Sequence, residues 1–133
     1  MAKFESDRQF EIWNFSASHR TMLLRSNPDY SVGTETRIEV YISNVEEMWI
    51  RPRMNGLTLW RPSASEAVEA AVRLNIRDGI ESLYLLSSEG FCGFLLAGRP
   101  AWREAVRGLE EPTLFDFTQE WPPGSEMKWG NVD

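Results

Sequence analysis

The chain has one cysteine, Cys92, and one histidine, His19, in 133 residues. An internal disulfide and any multi-cysteine zinc site are therefore excluded. So is every motif that needs two histidines. Basic side chains are also scarce: 14 Lys and Arg against 20 Asp and Glu leave a formal net charge of −6. Nucleic-acid binders draw most of their affinity from neutralising phosphates with Lys and Arg, so that class is set aside. The most apolar stretch, Phe91 to Gly98, is far shorter than the ~20 residues needed to span a bilayer. The opening Met-Ala-Lys-Phe-Glu-Ser-Asp-Arg lacks the apolar core of a secretory signal. With an unpaired cysteine, these features point to a soluble cytoplasmic protein without a membrane partner. No P-loop and no G-x-G-x-x-G occurs, and no cofactor is expected.

What is present fits one domain, 1–133, large enough to bury a core without staples. Charge is uneven along it. Residues 1–109 carry 13 bases and 14 acids, whereas 110–133 carry six acids (Glu110, Glu111, Asp116, Glu120, Glu126, Asp133) against Lys128 alone. The segment 110–133 reads as an acidic, proline- and tryptophan-containing C-terminal arm. It is either a solvated tail or a docking segment for a basic partner.

Period-two patterning predicts a mostly antiparallel sheet. Gln9 to Phe15 and Thr21 to Arg25 form a pair across the turn-like Ser16-Ala17-Ser18-His19. Thr36 to Ile42 alternates most cleanly: Ile38, Val40 and Ile42 on one face, Arg37, Glu39 and Tyr41 on a face expected to be wet. Ser43-Asn44 turns the chain into a strand from Val45 to Arg51, and Asn55-Gly56 is a hairpin turn before a short strand, Leu57 to Trp60. Ser82 to Leu86 and Phe91 to Ala97 form a further hairpin through Ser87-Ser88-Glu89-Gly90. Pro100 to Arg107 suits one or two helical turns, and Leu114 to Phe117 an edge strand or packed arm.

One amphipathic helix is predicted over Ala64 to Asp78, opened by a Ser63–Glu66 capping box and closed by Gly79. Glu66, Glu69, Arg73 and Arg77 form its polar stripe. Val68, Ala71, Val72 and Leu74 lie opposite, and its alanines allow close approach to a sheet. The fold class is α+β: a curved antiparallel sheet of about seven strands, in one or two layers, with this helix packed on it. A β-sandwich is the alternative.

Residues able to carry chemistry have structural readings beside them. Cys92 sits among apolar neighbours and reads as a buried structural cysteine. His19 reads as a turn residue bonded to its own loop. Glu39 and Glu47 would share a face if their strands formed a hairpin. Arg20, Arg25, Arg37, Arg51, Arg53 and Arg61 line an anion-binding face or, with Glu35, Glu39, Glu46 and Glu47 interleaved, pair across strands. Six tryptophans are many for this length. Trp13, Trp49, Trp60 and Trp102 are expected at the core or its edge. Trp121 and Trp129 either pin the arm to the body or face a partner.

Phe10-Glu11-Ile12-Trp13, Ser18-His19, Leu23-Leu24-Arg25-Ser26, Thr36-Arg37-Ile38-Glu39-Val40, Val45 and Gly56-Leu57 together resemble a group of small uncharacterised bacterial proteins. They share an SHxxLLLRS…TRI-V pattern, and the resemblance covers roughly residues 9–59. It implies no activity and carries over no catalytic residue.

The sequence thus favours binding over catalysis. The leading expectation is a protein-binding module, such as an immunity-type inhibitor of a basic partner, acting through Trp121, Trp129, Glu110, Glu111, Asp116 and Glu120. The second is a protein with a small-ligand or catalytic pocket lined by Trp and Arg. The third is a homodimer joined through a strand edge.

Overall fold

The computed structural model describes residues 2–133. Nine strands and one helix follow in the order β1 (Phe4–Ser16), β2 (Thr21–Ser26), β3 (Thr36–Ile42), β4 (Glu47–Trp49), β5 (Arg53–Trp60), α1 (Ala64–Leu74), β6 (Leu83–Ser88), β7 (Phe91–Leu96), β8 (Ala101–Val106) and β9 (Met127–Asn131). All nine strands lie in one antiparallel sheet, ordered β4-β7-β6-β5-β1-β2-β3-β8-β9. The α+β class holds. The strand number is nine rather than seven, and one open sheet replaces the two layers of a sandwich.

The sheet curls around its own inner face. Phe4 of β1 and Trp102 of β8 have ring centroids 5.9 Å apart. Their strands are three positions apart in the sheet, which would separate them by roughly 14 Å if it were flat. Phe10, Leu24, Val40, Ile42, Leu59, Leu86 and Leu95, drawn from β1, β2, β3, β5, β6 and β7, share one buried cluster. The chain ends also meet: the Ala2 N–H donates to Asp133 Oδ2 at 2.6 Å. Curling gives inner-face residues partners from distant strands, so one sheet encloses a core alone.

The outer face is covered at its two flanks. Helix α1 lies over Leu83, Leu85, Phe94 and Leu96 of β6 and β7, presenting Ala67 and Ala70. Val68 and Val72, expected against the sheet, are exposed instead. The small alanines allow the close approach, and the valines fall beside that contact line. The helix stops at Leu74, four residues early, because Asn75 enters the left-handed region (φ 57°) and donates to Ala71 and Val72. Gly79 opens a short 3-10 turn instead. Ser63 does accept from the Glu66 N–H. The Glu66 carboxylate takes the Trp60 indole N–H, so only half of the capping box forms.

Several boundaries differ from the sequence reading. β1 is longer, and Asn55-Gly56 lies inside β5 rather than at a turn. There Gly56 takes φ 76°, opposite the register shift between Ser6 and Gln9 of β1, so it serves a bulge. The stretch from Pro100 to Arg107 holds strand β8 (Ala101–Val106), not helix. β4 pairs with β7, not β3, which leaves Glu47 at the sheet edge and far in order from Glu39. β9 pairs with β8 and was not foreseen. On the opposite flank from α1, the chain from 108 to 121 crosses β3 and β8. Leu114 and Phe115 pack there on Leu23, Tyr41, Ala105 and Met127. The arm is therefore part of the body, held by a third hydrophobic cluster.

Candidate functional site

The site begins with strand register. One transverse row of the outer face aligns Arg53 on β5, Glu11 on β1, Arg25 on β2, Glu39 on β3, Arg103 on β8 and Trp129 on β9. Charge alternates along it, and burial deepens toward the arm. Arg53 and Glu11 are 3.8 Å apart in the wetter part of the face. Arg25, Glu39 and Arg103 are buried. Arg37, two residues before Glu39, is buried on the same face. The face expected to be wet is thus covered, because the arm lies on it.

Glu39 is the pivot. Its Oε2 accepts from Arg25 Nε at 2.7 Å, with Arg25 NH2 at 2.6 Å, and its Oε1 accepts from the Thr113 hydroxyl at 2.7 Å and the Leu114 N–H at 2.6 Å. A carboxylate offers about four acceptor positions, and all are in use. Arg37 donates to the carbonyls of Gly108 (2.6 Å), Pro112 (2.8 Å) and Glu111 (3.0 Å). Its Nε is buried without a partner. Burial, then Arg25, push the Arg37 guanidinium below its ordinary range, and Glu39 and Glu111 partly oppose them. The arm is consequently bound mainly by its backbone, which the sheet's side chains grip at both N–H and C=O groups.

Arg103 completes the cluster. Its NH1 donates to the Leu114 carbonyl at 2.8 Å. Its guanidinium lies 4.2 Å from the Phe115 ring centroid and 4.1 Å from that of Trp121, a sandwich between two aromatic faces. Tyr41 stacks on Phe115 at 5.3 Å, and Phe117 meets Tyr41 edge-on at 5.7 Å. Trp121 and Trp129 touch at 5.0 Å. These two indoles remain 47% and 44% exposed, and Phe117 71%. They are both pinned and available, where the sequence posed these as alternatives.

The four acids expected beside them divide in use. Glu111 caps the Gly108 N–H at 2.9 Å and lies 3.8 Å from Arg107. Asp116 closes a turn on the Thr118 hydroxyl and N–H, and those two bonds hold its carboxyl below the ordinary range. Glu110 and Glu120 are exposed, with no ion pair among the described residues. The sequence reading missed Arg103, Phe115 and Phe117. Alternation of Ala101, Arg103 and Ala105 with Trp102, Glu104 and Val106 was the available signal for β8.

Other candidates fall elsewhere. His19 sits in the exposed β1–β2 turn, its Nδ1 3.0 Å from the Ser16 hydroxyl and 3.3 Å from that of Ser18. Cys92 is exposed, not buried, because α1 leaves that end of β7 uncovered. Trp13 and Trp49 are also exposed rather than core. A bulge between Ile12 and Asn14 re-aims Trp13 onto Arg25, 4.0 Å from the guanidinium. Trp49 rides on the short edge strand β4. Of the expected ion pairs, Arg25–Glu39 forms across strands and Arg20–Glu46 forms between two connecting segments, while Arg53 pairs with Glu11. Arg51 and Arg61 instead sit over Phe91 and Tyr84. Among the described residues no group of three or more His, Cys, Asp or Glu is placed to hold a metal, and no helix is long and apolar enough to cross a membrane.

A cleft of about 430 Å³ elsewhere is lined by Ala2, Lys3, Glu5, Thr58, Trp60, Arg61 and Ser87. Its cations are committed: Lys3 lies 3.7 Å from Glu5, and Arg61 donates to the Leu83 and Glu81 carbonyls. The chain has no significant match among protein-family models, curated proteins or solved structures.

Proposed function

We propose that the protein is a binding module that docks a basic protein partner through the face built by the arm and β9. The half-exposed Trp121–Trp129 pair, fixed through Trp121 on the Arg103 guanidinium, carries this reading. Tryptophan dominates binding hot spots because it buries large area at little entropic cost. An arm already held by Glu39 and Arg37 need not be ordered on binding, which lowers the cost of association. Glu110, Asp116, Glu120 and Glu126 lie exposed in the same segment and favour a positively charged partner, speeding its capture. An immunity-type inhibitor of a basic toxic protein is the concrete form of this proposal, acting by occlusion rather than by chemistry.

The test is retention of a basic protein from the source cell on immobilised wild type, Trp121→Ala, Trp129→Ala and Val72→Ser. Val72 lies on the opposite flank. The expected result is at least tenfold weaker binding by both tryptophan variants, wild-type binding by the valine variant, and an association rate that falls with added salt. Equal retention by all four proteins would remove the reading.

A further inference from the structure

Four charged side chains on the outer face of β2, β3 and β8 are nine-tenths buried or more: Arg25, Arg37, Arg103 and Glu39. Three are cations and one is an anion. Glu39 is saturated by Arg25 and the arm, and Arg37 spends three donors on carbonyls of the arm and is fully enclosed, its Nε included. Arg103 is left with one hydrogen bond, to Leu114, and no carboxylate within 4 Å among the described residues. A guanidinium has five N–H donors. Most of those of Arg103 are therefore uncommitted.

Arg103 opens into a cleft of about 210 Å³ lined by Ala101, Trp102, Arg103, Trp121, Trp129, Gly130 and Asn131. Clefts for drug-sized ligands run to 300–1,000 Å³, so this one suits something smaller. Its walls include the indoles of Trp121 and Trp129, and its polar side chains are a guanidinium and a primary amide. The indoles accept a flat ring. Arg103 and Asn131 both offer N–H donors, which an anion accepts and a neutral hydrocarbon does not. Charge-assisted bonds in such a partly dry slot are about twice as strong as neutral ones.

We infer that this cleft binds a small aromatic carboxylate, its carboxylate on Arg103 and Asn131 and its ring against the exposed surface of the touching Trp121–Trp129 pair. This site requires no protein partner, so it stands or falls apart from the docking proposal. A carboxylate there supplies the anion that the buried row lacks.

The experiment titrates the full chain with benzoate, indole-3-carboxylate, indole and inorganic phosphate, following tryptophan fluorescence and calorimetry. Saturable binding of both carboxylates below about 1 mM, with indole and phosphate at least tenfold weaker, is the expected result. Asn131→Asp tests the same point without opening the arm, since an internal carboxylate beside Arg103 takes the ligand's place. It should raise the melting temperature and weaken indole-3-carboxylate at least tenfold. Binding of indole as tight as its carboxylate, phosphate as tight as either, no binding at all, or unchanged affinity in Asn131→Asp would each overturn the inference.

Discussion

Replacing Glu39 by glutamine removes the one buried carboxylate from a cluster of three buried guanidiniums. Glutamine can still accept the Leu114 N–H and Thr113 hydroxyl through its carbonyl. Its amide then faces Arg25 Nε and NH2, so donors meet donors where bonds of 2.6 to 2.7 Å stood. Breaking a buried ion pair from one side costs ~3–5 kcal/mol, chiefly because the other charge stays buried and unpaired. That is a large share of the ~5–15 kcal/mol that stabilises an ordinary domain. Urea unfolding followed by tryptophan fluorescence should show a lower midpoint with an unchanged slope. Proteolysis should then cut first in 108–121, which Glu39 and Arg37 hold. A cycle with Arg25→Met isolates the pair. The double variant should be more stable than Glu39→Gln alone, because the stranded cation is gone. A loss below about 1 kcal/mol for Glu39→Gln, or additivity within about 0.5 kcal/mol in the cycle, would refute the idea that this ion pair anchors the arm.

Gly93→Ala should loosen the β4 edge, since a Cβ there would lie 2.1 Å from the Trp49 carbonyl and 2.9 Å from the Phe91 ring. A loss of ~1–3 kcal/mol in urea unfolding is expected, with faster amide exchange at Glu47 to Trp49. The Asp116 carboxyl is held below its ordinary 3.8 by the Thr118 hydroxyl first and the Thr118 N–H second. A depressed folded value means the turn's contribution is present above the ordinary value and fades as pH falls through the depressed one. An NMR titration should show this, and Thr118→Val should move Asp116 back toward 3.8. Native protein should react promptly with one equivalent of a disulfide reagent, because Cys92 is exposed; a reaction that needs denaturant would contradict that placement.

Local signals were read well where they are local. The alternation of Thr36 to Ile42 marks β3 to the residue, and Glu89-Gly90 does turn the β6–β7 hairpin. Ser63 starts α1 as expected. Errors came where local preference was overridden. Asn55-Gly56 has hairpin chemistry, but pairing with β1 before it (Gln9 with Asn55) and after it (Ser6 with Leu57) carries β5 onward, and Gly56 makes a bulge instead of a turn. Trp102, Ala105 and Val106 have helical spacing, yet β3 and β9 on either side of them impose a strand. Trp121 and Trp129 were legible as candidates by composition. Arg103 was not, because nothing near it in sequence marks it as the residue between Phe115 and Trp121.

Alternation along β3 was enough to establish that Arg37, Glu39 and Tyr41 share a face, since side chains in a strand repeat every two residues. The acid excess of 110–133 and the start of the helix were likewise settled by order along the chain. What covers that shared face was decided only in three dimensions. Leu114 bonds Glu39 across 75 positions, and Pro112 bonds Arg37 across 75. A strand's period tells which residues are neighbours on one side but not which distant segment lies against them. Here that segment turned an apparently wet charged face into a buried ion cluster, and left one arginine and two indoles at its open end.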